Sequence, residues 1–467
     1  MDERRIAEAL REATDTAEVL LAEGALDSVA GVFARSFGPR AAVVVADENT
    51  FAVAGATVSR QLEASARELI EPCVFAGRPT LRADYENVEA LTRSLGAHAA
   101  IPVAVGAGTV NDIVKRASHE SDRPYMSVAT AASMDGYTSF GAAITKNGFK
   151  RTLECPAPQA VVADLGVTIE APAQMTAAWY ADLLAKITAG ADWIVADALD
   201  IELIKPKPWA LVQEPLRSAT ARPADLQAGD PEAMEDLIEG LIMSGLAMQA
   251  ASSSRPASGA EHQFSHLWEM EGLGQRPEGD EPPLSHGFKV GVGTVSIAAL
   301  YERVLERDFA GLDTEAAVRA WPVREEVERR VRAALGAGDL AEAAVAETRA
   351  KYIDAGDLAR RLELLTDRWA DLRDRVREQL VPAEQMRAQL RAAGCPTTPA
   401  EIGLGSDRFK TTYRRAQMIR RRYTILDLAN EAGVLDDCVE ELFAGDGLLG
   451  RAPRRPSARL RMSPRRS

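Results

Sequence analysis

The first third of the chain alternates short apolar runs with amphipathic stretches. Four runs rich in alanine and β-branched residues have the length of buried strands, and they lie at residues 41–47, 99–108, 125–133 and 160–167. A stretch with helical periodicity, "TVNDIVKRASHE" at residues 109–120, separates two of them. Because strands that alternate with helices build parallel sheets, we predict a doubly wound α/β domain in this part of the chain.

The pattern changes near residue 170, beyond which helical periodicities dominate and strand-like runs nearly vanish. The clearest helical segments are residues 175–199, 231–251, 294–309 and 316–335. We therefore predict an α/β domain over residues 1–168 and an all-α domain over residues 169–450. Residues 275–283 have the composition of an exposed loop, and residues 451–467 that of a basic, disordered tail.

Composition and charge narrow the class of protein. The 467 residues are 46% hydrophobic and 27% charged, as in a soluble protein of two or more domains. The net charge of −14 argues against a nucleic-acid partner, which requires a basic surface. The charged N-terminal segment and the lack of a long apolar run predict neither a signal peptide nor a membrane span, so we expect a cytoplasmic protein. The four cysteines are far apart, which favours neither a disulfide framework nor a zinc knuckle.

Glycines follow the apolar run at residues 99–108 and precede a helical stretch. Gly106 and Gly108 would let a phosphate group approach the backbone N–H groups at the helix N-terminus, which is typical of pyrophosphate sites. Asn111 occupies the place of the third glycine of the dinucleotide motif, so an ordinary strand-to-helix turn is an equal alternative. Asp47, at the end of an earlier strand, would either hold a ribose or serve as a turn residue.

A second polar turn, "TAASMDGYTS" at residues 130–139, follows the next predicted strand. In open α/β sheets ligands bind beyond the carboxyl ends of the strands, where Thr130, Ser133, Asp135 and Ser139 would converge. The alternative is an ordinary Asp-Gly turn.

Three of the five histidines fall within 25 residues, at positions 262, 266 and 286. Ser258 and Glu261 have the spacing of a capping box, which predicts a helix that carries His262 and His266 one turn apart on one face. Imidazoles bind divalent transition metals, often together with a carboxylate. The pattern therefore favours a metal site over structural histidines.

Asp182 is the candidate carboxylate, because its helical neighbours are small and apolar. A buried carboxylate there needs a cation. Lys186, one turn further on, and a metal ion are the two possible partners, and the spacing does not choose between them.

Five segments in this order resemble a known family: "GAGTVNDIVK" (106–115), "TAASMDGYTS" (130–139), "ADLLAKITAGADW" (181–193), "SSRPASGAEHQFSHLWEM" (253–270) and "HGFKVGVGTV" (286–295). Together they resemble the bacterial branch of the sn-glycerol-1-phosphate dehydrogenases, within the iron-type alcohol dehydrogenase and dehydroquinate synthase-like superfamily. The resemblance covers residues 20–310 and continues more weakly through residues 414–437.

The resemblance implies a dehydroquinate synthase-like fold with the active site in the cleft between an N-terminal nucleotide-binding domain and an all-α C-terminal domain. It also implies a homo-oligomer, a dimer or larger. An NAD(H) or NADP(H) cofactor would be held by residues of both polar turns: Gly106, Ala107, Gly108, Thr109, Val110, Thr130, Ala131, Ala132, Ser133 and Ser139. A negative charge at Asp47 would favour NAD(H) by repelling an additional phosphate.

The resemblance further implies one divalent metal, zinc or nickel, bound by Asp182, His262 and His286. Asp135, Asp182 and His266 would contact a small phosphorylated substrate, with Asp182 and His266 as catalytic residues. The expected reaction is the interconversion of dihydroxyacetone phosphate and sn-glycerol 1-phosphate. Arg255, Lys146 and Lys150 are candidates for the substrate phosphate.

Three alternatives remain at this stage. One is a dehydroquinate synthase-like sugar phosphate cyclase, which would recycle its nicotinamide cofactor within each turnover. Another is a dehydrogenase of a different small polyol or polyol phosphate. The third is a binding protein that retains the fold without catalysis.

Overall fold

A computed structural model describes residues 3–146, 149–274, 283–445 and 448–449. The predicted basic tail, and the predicted loop except for Pro283, lie outside the described residues. Within the described part of the chain, no helix has both the length and the hydrophobicity needed to cross a bilayer.

A six-stranded parallel sheet forms the centre of the first part of the chain. Its strands are ordered β1-β8-β5-β4-β2-β3, and β6 and β7 form a separate antiparallel hairpin. The strands are β1 (Glu18–Ala22), β2 (Ala42–Asp47), β3 (Leu69–Phe75), β4 (Ile101–Gly106), β5 (Met126–Ala129), β6 (Ala142–Lys146), β7 (Phe149–Leu153) and β8 (Ala160–Asp164).

Helices surround the sheet and make up the remainder of the described chain. Those associated with the sheet are α1 (Glu3–Glu12), α2 (Val29–Phe37), α3 (Glu48–Thr50), α4 (Ala56–Ala64), α5 (Tyr85–Leu95), α6 (Gly108–Glu120) and α7 (Leu165–Ile169). Those that follow are α8 (Ala173–Leu184), α9 (Lys186–Ala198), α10 (Pro206–Ala219), α11 (Pro223–Gln227), α12 (Pro231–Ala251), α13 (Ala260–Met270), α14 (His286–Leu305), α15 (Thr314–Ala320), α16 (Arg324–Leu335), α17 (Asp339–Lys351), α18 (Ala355–Gln379), α19 (Ala383–Ala392), α20 (Ser406–Met418), α21 (Ile425–Glu431) and α22 (Leu435–Phe443).

Both faces of the sheet are buried, which explains the continuous apolar runs. Successive residues of β2 point to opposite faces: Val44 and Ala46 pack in one apolar cluster, and Val43 and Val45 pack in the other. The four predicted strands correspond to β2, β4, β5 and β8, and within the described residues no strand follows Asp164. The predicted fold class, a doubly wound α/β part followed by helices, is therefore confirmed.

Several elements differ from the sequence prediction. The edge strands β1 and β3 and the β6–β7 hairpin were not predicted, and β3 carries the polar residue Glu71 and a proline, Pro72, which edge strands tolerate. The segment 175–199, predicted as one helix, divides at Ala185 into α8 and α9. The segment 316–335 likewise divides into α15 and α16 around Pro322, because proline cannot continue a helix.

The fully buried Lys115 of α6 fixes the polar turn that follows β5. Its ammonium donates to the backbone carbonyl oxygens of Gly136 at 2.8 Å, Ser139 at 2.8 Å and Gly141 at 3.1 Å. Burial lowers the pKa of Lys115, and the nearby carboxylates, Asp112 first among them, oppose this effect. The three hydrogen bonds tie residues 136–141 to the helix that begins at the glycine turn.

We expect Lys115→Met to lower the free energy of unfolding by about 2–4 kcal/mol, because three buried carbonyls would lose their donor. Urea unfolding measures the change. Lys207→Met is the matched control, since Lys207 is 70% exposed and pairs with Glu12 at the surface. Equal free energies of unfolding for Lys115→Met and the wild type would show that the three Lys115 hydrogen bonds contribute nothing to stability.

Candidate metal and nucleotide site

Close packing of α14 against α8 and α13 brings three distant parts of the sequence together. A Cβ atom at Gly287 would overlap the carbonyl group of Ala178 in α8. A Cβ atom at Gly293 would lie 2.8 Å from the backbone oxygen of Glu261 in α13. Glycine is therefore required at both contacts, and the three helix backbones approach closely enough for short side chains to meet.

Asp182 of α8, His262 of α13 and His286 at the start of α14 meet at this junction. One potential ligand atom from each lies within 4.8 Å of the other two. The Nε2 atoms of His262 and His286 lie 3.7 and 3.8 Å from Oδ2 of Asp182. The structure thus brings together the three residues that the sequence analysis selected as metal ligands.

The other ring nitrogen of each histidine has a carboxylate partner. Nδ1 of His262 lies 2.8 Å from Oε1 of Glu261, and Nδ1 of His286 lies 2.9 Å from Oε1 of Glu269. A carboxylate at Nδ1 favours the tautomer that leaves the Nε2 lone pair free for a metal. The donor set and its outer carboxylates therefore fit a divalent cation.

The charged groups at the junction strongly shift one another's pKa values. Burial raises the pKa of Asp182, but the positive charges of Lys186 and His262 outweigh burial and hold it well below its usual range. Burial lowers the pKa of His262, yet the carboxylates of Asp182 and Glu261 raise it to about 9. The carboxylates therefore favour positive charge at the point where a divalent cation would be bound.

Asp182 has one of the two partners that its sequence context suggested, Lys186, and its second oxygen faces the candidate metal position. Its Oδ1 accepts a hydrogen bond from the Lys186 ammonium, while its Oδ2 faces the two imidazoles. Lys186 is fully buried and also donates to Oδ2 of Asp135 at 2.9 Å. One ammonium therefore links the candidate metal ligand to the polar turn after β5.

His266 lies beside the three candidate ligands. Its ring centroid is 6.1 Å from that of His262 and 5.6 Å from that of His286, and 27% of its side chain is exposed. Burial and the positive charge of Arg420 lower the pKa of His266, although Glu269 opposes them. A neutral ring is therefore favoured at the entrance to the junction.

The two polar turns meet at one edge of the sheet. The N–H group of Gly108 donates to the Ser133 hydroxyl at 3.1 Å, and that of Thr130 donates to the Gly106 carbonyl at 3.3 Å. At Gly106 a Cβ atom would lie 2.6 Å from the Cβ of Val110, so the turn into α6 requires glycine. The two turns converge as the parallel-sheet argument predicts.

Other residues expected in the nucleotide site have contacts that a structural role explains. Ala131, Ala132 and Ser139 are buried in the polar turn. Asp47 is the N-cap of α3, where it forms a reciprocal capping box with Thr50. Asp47 thus has the helix-start function that was its alternative.

Two details of the sequence analysis are wrong. Ser258 does not cap α13, because the helix begins one residue later than a capping box requires, and the carboxylate of Asp192 in α9 accepts from the Ala260 N–H group at 2.7 Å instead. The Ser258 hydroxyl accepts from Arg422.

Arg255 is not available for a phosphate either. Its guanidinium is 1% exposed and donates to the backbone oxygens of Asp192 and Tyr423. The ammonium of Lys146 lies 3.5 Å from the centroid of the Tyr85 ring, and the β6–β7 hairpin approaches α13. The side chain of Lys150 is outside the described residues.

Glu269 is the residue that the sequence analysis missed. Its carboxylate contacts Nδ1 of His286 and the ammonium of Lys289, and it lies 3.8 Å from Nδ1 of His266. Glu269 follows His266 by three positions and His262 by seven, so it lies on the same helix face. An acid at that spacing from two histidines was a detectable signal.

Comparison with known proteins places this geometry in a class. Residues 20–172 match the family model described as iron-containing alcohol dehydrogenase. The fold is similar to that of a probable glycerol dehydrogenase from Sinorhizobium meliloti, with a TM-score of 0.58, 17% identity and coverage of 92% of this chain and 98% of that one. Residues 20–172 are therefore similar in sequence to the iron-containing alcohol dehydrogenase class, and the structural likeness shows a shared fold.

Relatives in this class identify the family. A Bacillus subtilis protein named glycerol-1-phosphate dehydrogenase [NAD(P)+] is 33% identical over 417 residues, which cover 89% of this chain and 91% of that protein. A Halalkalibacterium halodurans protein of the same name is 39% identical over 261 residues, which cover 56% of this chain and 64% of that relative, slightly less than two thirds. The chain belongs to the glycerol-1-phosphate dehydrogenase family, as the resemblance in its sequence indicated.

We expect His262→Ala to abolish turnover and stoichiometric metal binding while nicotinamide cofactor binding persists, because the glycine turn is built by other elements. Metal analysis of the purified variant and a cofactor titration check the two halves of this expectation. His119→Ala, at an exposed position of α6, is the matched control. Wild-type metal content in His262→Ala would refute its assignment as a ligand.

We expect Glu269→Gln to weaken metal affinity about 10–100-fold, because His286 would lose the carboxylate that orients its ring. Titration of the protein with Zn²⁺ against a competing chelator measures the affinity. Glu271→Gln is the comparison variant, since Glu271 pairs with Arg408 and Arg415 away from the histidines. Equal affinities for the two variants would exclude an orienting role for Glu269.

Proposed function

We propose that the chain is a metal-dependent NAD(P)H oxidoreductase that interconverts dihydroxyacetone phosphate and sn-glycerol 1-phosphate. The observation that carries the proposal is the convergence of Asp182, His262 and His286 within 4.8 Å. The names of its relatives support the substrate and the cofactor class. We further propose that a division near residue 168 separates nucleotide binding from metal binding.

Asp182, His262 and His286 would hold one divalent metal, zinc or nickel, which when bound supplies Lewis-acid polarisation of the substrate carbonyl. The protein's own contribution is orientation. Lys186 holds one oxygen of Asp182, and Glu261 and Glu269 hold the two imidazoles by their Nδ1 atoms. These contacts keep the three ligand atoms in place before the substrate arrives.

His266 and Asp135 would contact the substrate. Because burial lowers the pKa of His266, its ring is neutral near pH 7 and both donates and accepts a hydrogen bond. We assign to it the orientation of a substrate hydroxyl and the passage of a proton from water, not the supply of a proton as imidazolium. Asp135, held by Lys186, would accept from the second of the two hydroxyls that sn-glycerol 1-phosphate carries.

The nicotinamide cofactor would lie across the two polar turns, with its pyrophosphate at the start of α6. The residues assigned to it are Gly106, Ala107, Gly108, Thr109, Val110, Thr130, Ala131, Ala132, Ser133 and Ser139. Asp47, at the end of β2, would disfavour the additional phosphate of NADP(H) by charge repulsion. We therefore expect NADH to be the better reductant.

The test is an assay of the purified chain with NADH or NADPH and added Zn²⁺ or Ni²⁺. We expect dihydroxyacetone phosphate to consume one equivalent of NADH and to yield sn-glycerol 1-phosphate. Dihydroxyacetone and glyceraldehyde 3-phosphate serve as competing substrates. Turnover without net NADH consumption would favour a cyclase, and faster turnover of an unphosphorylated polyol would overturn the substrate assignment.

A further inference from the structure

Arg420 lies in the short segment that connects α20 to α21 and runs beside α13. This segment is fixed to α13, because the Gln263 side chain donates to the backbone oxygen of Arg422 at 3.2 Å. The Arg422 guanidinium in turn donates to the Ser258 hydroxyl at 2.8 Å, just before α13 begins. The backbone at Arg420 is therefore held next to the helix that carries His262 and His266.

The three successive arginines of this segment have different surroundings. Arg421 is 70% exposed, and its guanidinium pairs with Glu347 at 2.8 Å. Arg422 donates to the side chains of Ser254 and Ser258. Within the described chain, Arg420 has neither a hydrogen bond nor an ion pair for its guanidinium, although it is only partly exposed.

The unpaired charge of Arg420 acts on the candidate active site. It lowers the pKa of His266, after burial and against the effect of the nearby Glu269 carboxylate. Glu347 also acts on Arg420 electrostatically, but both of its carboxylate oxygens are already engaged by Arg421. The Arg420 guanidinium is therefore available to bind an anion on the side of the junction where His266 lies.

Three other cations near the junction, among the residues that the structure describes, are already engaged. Lys186 pairs with Asp135 and Asp182, and Lys289 pairs with Glu269. The guanidinium of Arg255 donates to backbone carbonyls, as described above. A partly buried guanidinium without a protein partner carries a desolvation cost that an anionic ligand would offset.

We propose that Arg420 binds the phosphate group of the substrate and thereby selects phosphorylated over free polyols. The inference rests on the proposed function and deepens it. A guanidinium offers a planar fork of N–H donors that matches two phosphate oxygens. The segment that carries Arg420 is fixed to α13 at Gln263, three positions before His266, so a phosphate bound to Arg420 would lie near the residue assigned to the substrate hydroxyl.

The test compares Arg420→Met with Arg421→Met, a matched control that removes the adjacent arginine and its surface pair. We expect Arg420→Met to lower kcat/KM for dihydroxyacetone phosphate about 10–100-fold, the effect of losing charge-assisted hydrogen bonds. Turnover of dihydroxyacetone should change less than about threefold, since that substrate has no phosphate. Calorimetric titration with glycerol 1-phosphate should show a matching loss of affinity.

Each result decides the question. Equal loss of activity with both substrates, or an unchanged KM for dihydroxyacetone phosphate, would overturn the role of Arg420 while the proposed function stands. A wild-type protein that does not reduce dihydroxyacetone phosphate would overturn the proposed function itself. Thermal unfolding establishes whether Arg420→Met is folded. If it is not, Arg420→Gln replaces it, and an unchanged preference of Arg420→Gln for the phosphorylated substrate would overturn the inference.

Discussion

The carboxylate of Asp182 is the group on which the candidate site depends. Isolated in the apolar face of α8, it would be strongly destabilising, because an uncompensated buried charge costs several kcal/mol. Its two oxygens are compensated from different sides, one by Lys186 and the other by the imidazoles of His262 and His286. Since Lys186 also holds Asp135, the metal junction and the polar turn after β5 form one electrostatic unit.

Helix packing allows that unit to form. Gly287 and Gly293 of α14 contact the backbones of α8 and α13 at distances that exclude a side chain. A bulkier residue at either position would separate the helices, and the ligand atoms would lose their common centre. The same logic applies at the sheet edge, where Gly106 permits the sharp turn into α6 and Lys115 secures the neighbouring turn. Chemistry in this protein therefore depends on close backbone approach as much as on charged side chains.

Two errors in the sequence-based assignment of site residues have a common physical cause. Ser258 and Glu261 have correct local spacing for a capping box, yet a distant carboxylate, Asp192, accepts from the first N–H group of α13. Arg255 carries the charge expected of a phosphate ligand, but burial among backbone carbonyls satisfies that charge. In both cases a long-range contact overrode a local pattern. Arg420, in the segment 414–437 where the resemblance is weaker, was assigned no function from the sequence, and its guanidinium has no such contact within the described chain.

The resemblance to a known family indicated the candidate ligands. Local periodicity by itself determined the strands β2, β4, β5 and β8 and the mostly helical character of the chain that follows them. Those features depend on neighbours along the chain, whose hydrophobic spacing is visible in the residues. Only the tertiary structure decided that Asp182 contacts Lys186 and faces the imidazoles at once, and that Glu269 contacts His286. It also decided that the Arg420 guanidinium has no partner among the described residues. The convergence of ligand atoms and the pairing of charged side chains depend on which helices pack together and how closely. The distance between residues far apart in the chain cannot be deduced from their spacing in the sequence.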